Sequence, residues 1–234
     1  MKRTCLFLFG LLLMACAPAT MPPQGPDFKM VLSNPERPQN ERALDASRKP
    51  EEVLKFYGVK PGMKVADLMA ARGYYTAILS QAVGDKGLVY SVNARHRPEL
   101  EERLKNPAYA NVRRVDSLTL PAGADLDFAL IHLNYHDLPA AARASLNKTV
   151  FAALKPGGVY GIVDHSAKDG SGEEAVKSLH RIDKGFVVKE VTAAGFSLAR
   201  EGDMFKNPKD DRTTSVLKDR GTSDRFVLRF EKPR

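Results

Sequence analysis

The stretch Lys64-Val65-Ala66-Asp67-Leu68-Met69-Ala70-Ala71-Arg72-Gly73-Tyr74-Tyr75-Thr76 decides how the rest of the chain is read. Its first five residues make a short, mostly apolar run of strand length with an acid near the end. Gly73 then opens a segment of helical spacing, 74–83, which Gly84 stops. A strand, a tight turn and a helix in so few residues begin a βαβ unit, in which the next parallel strand is reached through a helical crossover.

Outward from this unit the alternation continues. Further strands are predicted at 87–93, 112–115, 126–133 and 159–164, with helices at 98–105 and 139–154. Upstream, 41–57 has helical spacing, Pro50 starts a second helix at its first turn, and Gly58 ends it before the turn Val59-Lys60-Pro61-Gly62. Downstream, helices are expected near 173–182 and at 187–194, then strands at 197–201 and 225–230. The hairpin-like order of the last two strands predicts an antiparallel edge. The fold class is therefore α/β, a mostly parallel twisted sheet with helices on both faces, formed by one domain over 39–234.

Composition narrows the function. A chain of 234 residues that is 43% hydrophobic is not disordered. Lys and Arg number 36 against 28 Asp and Glu, but basic groups such as Arg113-Arg114 lie among acids and without interleaved aromatics. They read as solvated faces rather than a nucleic-acid interface. Two cysteines exclude a disulfide framework.

Residues 1–15 have the form of a secretory signal, with Lys2 and Arg3 ahead of an apolar core too short to span a membrane as a finished helix. The run Leu13-Met14-Ala15-Cys16 resembles the bacterial lipoprotein box, which implies cleavage before Cys16, lipidation there, and a membrane anchor of several acyl chains. Ala17 is similar to the residue found in lipoproteins sorted to the outer membrane, so the implied location is exported, on the periplasmic face. Ordinary cleavage after Ala15 or Ala17 is the alternative. Residues 16–38 carry six prolines and few large apolar groups, the composition of an extended tether.

In open parallel sheets ligands bind outside the carboxyl ends of the strands, where the strand order reverses. The unusual polar groups fall at such ends: 67–73, Asn93, Asp116, 132–137 and Asp164-His165. Each alone is an ordinary turn or cap residue, but their shared location predicts a cavity.

Val65-Ala66-Asp67-Leu68, Gly73-Tyr74-Tyr75-Thr76 and the turn Lys155-Pro156-Gly157-Gly158 resemble the class I S-adenosylmethionine-dependent methyltransferases, which have a Rossmann-like fold. With Asn134-Tyr135-His136-Asp137-Leu138, Val163-Asp164-His165, His180-Arg181-Ile182-Asp183 and Asp224-Arg225-Phe226-Val227-Leu228, the chain is similar to a bacterial group of often exported methyltransferases. The resemblance implies S-adenosyl-L-methionine as cofactor, held by Asp67, Met69, Ala71, Gly73, Tyr74, Asn93, Asp116 and Asn134. In this role Asn93 takes the place of an acid on the ribose hydroxyls, and Asp116 contacts the adenine amino group.

The loop Asp67-Leu68-Met69-Ala70-Ala71-Arg72-Gly73 departs from the family's glycine-rich pattern, and Ala71 is costly if the turn demands a left-handed residue. His136 is the expected catalytic base, with Asp137 or Asp164 orienting it and His165 as the other candidate. No metal set is read. His132-x-x-x-His136 has helical ligand spacing but lies at a strand end, where that spacing does not bring both rings to one ion. The segments 180–183 and 207–211 are expected as a lid and rim, with Arg181 and Asp183, or Asp210 and Arg212, as structural ion pairs. Asn134 lacks the following prolines of base-modifying enzymes, which argues for a small molecule or envelope component rather than nucleic acid. A non-catalytic ligand-binding lipoprotein with a degenerate loop is the competing reading.

Overall fold

The computed structural model describes residues 25–121, 123–218 and 221–234. Seven strands form one sheet: β1 (Lys64–Leu68), β2 (Leu88–Val92), β3 (Val112–Val115), β4 (Leu126–His132), β5 (Leu154–His165), β6 (Ser197–Gly202) and β7 (Arg225–Glu231), in the order β3-β2-β1-β4-β5-β7-β6. The first five pair in parallel. The antiparallel pairing lies at the expected end of the sheet, where β7 runs against both β5 and β6 and leaves β6 outermost. The strand order reverses between β1 and β4, which places the crevice at their carboxyl ends.

Alternation along the central strands builds a core on each face. Val65, Phe128, Leu130, Val159 and Val163 face one side, while Ala66, Leu68, Ala129, Ile131, Tyr160 and Ile162 face the other. Because helices cover both faces, β1 and β4 read as almost continuous apolar runs. Gly161 is required at one crowded point: a Cβ there would lie 2.7 Å from the ring of Tyr57, whose hydroxyl donates to the carbonyls of Ile162 (3.3 Å) and Leu228 (3.2 Å).

The helices are α1 (Phe28–Ser33), α2 (Gln39–Arg42), α3 (Asp45–Arg48), α4 (Pro50–Tyr57), α5 (Tyr74–Val83), α6 (Pro98–Leu104), α7 (Ala140–Ala153), α8 (Val176–Leu179) and α9 (Lys184–Ala193). Among the described residues no helix is long and apolar enough to cross a membrane.

Two expectations need correction. The tether does not extend to residue 38. The Asp27 side chain caps α1, whose Phe28 and Val31 are buried in the core, and the buried Arg37 binds Asp45 at 2.6 and 2.8 Å. The high proline content concealed this single apolar turn. The signal at 1–15, Cys16 and the start of the tether lie outside the described residues.

The helix near 173–182 is also shorter than expected, being only α8. His180 turns left-handed (φ 54°), and Ile182 returns to the end of β5, exchanging backbone bonds with His165 and Ala167 at 3.0 Å. Burial of Ile182 overrides helix propensity here.

Candidate active site

A cavity of about 610 Å³ opens at the carboxyl ends of β1, β4 and β5. The loop after β1 forms one wall. Met69 (φ 56°), Ala71 (φ 51°) and Gly73 (φ 86°) are all left-handed, so the turn keeps a glycine-rich geometry with two non-glycine residues. Each non-glycine residue costs about 1–2 kcal/mol in that conformation. Backbone and side-chain bonds offset the cost: Ala70 N–H donates to Val92 O (3.0 Å), Gly73 N–H to Ala70 O (2.8 Å), and Arg103 to Gly73 O (2.8 Å).

Asn93 accepts from Ala71 N–H at 2.8 Å and donates to Ala71 O at 3.3 Å. In this structure the side chain is turned back onto its own loop instead of toward the place expected for the ribose. Asn93 does not line the cavity, and its amide meets both halves of one residue's backbone, which an ionised carboxylate without a donor could not do. Asp116 is not part of the cavity lining either, and is paired with Arg114 (3.2 Å) and His96 (3.5 Å). Arg72 lies at the rim, exposed and 3.5 Å from Glu99.

Asp67 and Tyr74 do line the cavity. Asp67 accepts from Thr76 Oγ1 at 2.6 Å, and Thr76 in turn meets Ser91 at 2.8 Å. Burial pushes the Asp67 carboxyl up to about 7, against the opposing effects of Thr76 and Arg48. The Tyr74 hydroxyl donates to Asp45 at 2.6 Å, leaving only its ring to the site, with the Arg48 guanidinium stacked 4.4 Å from the ring centre.

The opposite wall is organised around Asp164, which is fully buried. It accepts from His136 N–H (2.8 Å), His165 N–H (2.8 Å) and His136 Nδ1 (2.7 Å). Burial alone would raise the Asp164 carboxyl, but the His136 ring, His165 and these donors hold it below the ordinary range. The ionised carboxylate fixes the proton of His136 on Nδ1 and presents Nε2 beside Asp137 Oδ1, 3.3 Å away. Asn134 donates to Asp137 Oδ2 at 3.1 Å.

Burial pushes His165 down to about 3, and its Nδ1 is engaged with Ser223 at 2.7 Å, so it is a poor proton acceptor. Of the two candidate bases, the geometry favours His136, oriented by Asp164. Asp137 sits at the Nε2 side instead of behind the ring.

Arg48, Arg225 and His180 were not among the expected site residues, yet they line the cavity together with His132 of the expected 132–137 cluster. His132 is buried, and its Nε2 has no hydrogen-bond partner among the described residues. Arg48 lay in no motif that had been singled out, whereas Arg225 stood within 224–228 and His180 within 180–183. The neighbours of His180 form structural pairs with partners other than those expected: Arg181 binds Asp210 at 2.8 Å, while Asp183 caps α9 through Gly185 N–H at 2.7 Å.

The order of strands and the cavity at their switch point define a Rossmann-like fold of the methyltransferase type. Residues 46–208 match the FtsJ-like methyltransferase family, and the chain belongs to that family. A solved S-adenosylmethionine-dependent methyltransferase from Aquifex aeolicus superposes with a TM-score of 0.62 at 21% identity, over 88% of this chain and 98% of that one. The 1,6-didemethyltoxoflavin-N1-methyltransferase of Burkholderia thailandensis, solved with 1,6-didemethyltoxoflavin and S-adenosylhomocysteine bound, gives 0.58 at 20% identity over 81% and 79%. The demethylmenaquinone methyltransferase of Staphylococcus aureus (strain MRSA252) is 30% identical over 114 residues, 47% of this chain and 46% of that protein. The chain thus matches about half the length of this curated relative. These relationships support S-adenosylmethionine as the cofactor.

Proposed function

We propose that this protein transfers a methyl group from S-adenosylmethionine to an oxygen or nitrogen of a small molecule or envelope component. The observation that carries the proposal is the cavity of about 610 Å³ lined by both the loop after β1 and His136, which the buried Asp164 holds from behind. Its size falls within the range of about 300–1,000 Å³ usual for cofactor sites, and the left-handed loop after β1 brings Met69 and Ala71 to its wall. The residues therefore fit the cofactor. Asp67, Met69, Ala71 and Tyr74 would hold it, and Arg48 and Arg225 add positive charge suited to a carboxylate.

When bound, the cofactor supplies a methyl group made electrophilic by its sulfonium. The chain's own part is to position the acceptor and move its proton. His136 takes that proton at Nε2, and the Asp164 carboxylate stabilises the charge that develops on the ring through the Nδ1 bond. A small-molecule acceptor is supported by the relative that acts on a demethylmenaquinone.

We further propose export and lipidation at Cys16, supported by the sequence Leu13-Met14-Ala15-Cys16. Mass spectrometry of the membrane-extracted protein would show the acyl mass on Cys16, and Cys16→Ser would release the protein to the soluble fraction.

Activity is tested by incubating the purified protein with methyl-labelled S-adenosylmethionine and envelope extract. Label transferred by the wild type and lost in His136→Ala is the expected result. Cofactor binding with no label transferred to any component would favour the non-catalytic alternative.

A further inference from the structure

Three potential ligand atoms converge at one end of the cavity: His136 Nε2, Asp137 Oδ1 and His180 Nδ1. The Asp137 oxygen lies 3.3 Å from the first nitrogen and 3.7 Å from the second, and all three atoms are within 4.8 Å of one another. Ligand atoms about 2.0–2.1 Å from a tetrahedral zinc ion stand about 3.3–3.4 Å apart, so the spacing needs little adjustment to enclose one. We propose that these residues form a three-ligand site for a divalent first-row transition cation, with the remaining coordination position facing the methyl-acceptor end of the cavity.

The groups behind the ligands strengthen the inference. A metal-binding imidazole characteristically gives its other N–H to a carboxylate, which fixes the ring and raises its basicity. His136 has that arrangement through Asp164 at 2.7 Å. Asp137 is held on its far oxygen by Asn134 at 3.1 Å, which leaves Oδ1 turned to the histidines. His180 takes a left-handed backbone (φ 54°), unusual for a non-glycine residue, at the turn that brings its ring 5.7 Å from that of His136. Two imidazoles with one carboxylate suit zinc, cobalt or iron rather than magnesium or calcium, which favour oxygen ligands.

The inference deepens the methyltransferase reading and rests on it for the role of the ion. A cation here would hold an acceptor oxygen in the open position and make its proton more acidic. It would therefore select hydroxyl or enol acceptors over amines. With the ion bound, His136 acts as a ligand and the proton shed by the acidified acceptor passes to solvent water at the open mouth of the cavity, so the proton-accepting role of His136 belongs to the metal-free site.

The test uses the purified protein freed of metal with a chelator and then titrated with Co²⁺, whose visible absorption reports a low-coordinate nitrogen and oxygen site without any cofactor present. One equivalent is expected to develop the absorption, and Zn²⁺ to displace it while Mg²⁺ does not. His180→Gly removes one ligand while suiting the left-handed backbone, so the fold should persist by circular dichroism. That variant and Asp137→Asn should each weaken binding at least tenfold.

Absence of Co²⁺ and Zn²⁺ binding at 1 mM, or binding unchanged in both variants, would overturn the proposal. A cofactor titration run alongside separates the two readings. Cobalt binding without cofactor binding would keep the metal site and remove the methyltransferase role.

Discussion

The two walls of the cavity are stabilised in different ways. The cofactor wall is built from main chain: three left-handed residues in a row of five, pinned by main-chain hydrogen bonds and by the amide of Asn93. The acceptor wall is built from side chains converging on one buried carboxylate, Asp164. A wall made of backbone can lose two glycines and keep its shape, at an energetic cost, whereas the wall around Asp164 depends on the identity of each residue. The altered glycine pattern is therefore compatible with an intact crevice.

The largest effect is expected at the acceptor wall. Asp164→Ala leaves the amides of His136 and His165 buried without this partner, and loss of a buried charged hydrogen-bond partner costs about 3–5 kcal/mol. For a chain of this size the melting temperature should fall by on the order of 10 °C. A fall of only one or two degrees would show that the wall does not depend on its carboxylate.

Next in size is a pH effect at Asp67, whose carboxyl is raised from 3.8 to about 7 by burial. Below pH 3.8 it is protonated in both the folded and the unfolded chain. Between there and pH 7 only the unfolded chain loses its proton, so this group's contribution to stability declines as pH rises and is lost above 7. Asp67→Asn lacks the decline. Thermal melts across pH 4–8 should show the variant gaining on the wild type with rising pH, by up to about 4 kcal/mol. A constant difference would contradict burial of the ionisable group.

A smaller effect separates the two roles considered for Asn93. Asn93→Asp removes the donor to Ala71 O and should destabilise the protein by about 1–3 kcal/mol without tightening cofactor binding. Tighter binding would support the ribose role. The smallest change is Ala71→Gly, which relieves one left-handed alanine and should stabilise by about 1 kcal/mol in chemical denaturation.

Much of the fold was legible because β1, β4 and β5 are buried on both faces and so carry apolar runs that glycine and proline delimit. The short α1 was not, since its two buried apolar residues lie among prolines and its stability comes from packing on the core. At the site, the places of Asp67 and His136 on the cavity wall, and of Asp164 behind His136, were readable from their strand-end positions. The directions in which Asn93 and Asp116 turn were not, because strand-end location does not reveal whether a side chain faces the cavity or its own neighbours. His180 entered the cavity through the left-handed turn after α8, where helical spacing gives no warning.

Calorimetric titration of the protein with S-adenosylmethionine and S-adenosylhomocysteine tests the central claim most directly. The crevice described here predicts one saturable site for each ligand and loss of that site in Asp67→Ala. No binding at millimolar ligand, or equal binding in the variant, would contradict it.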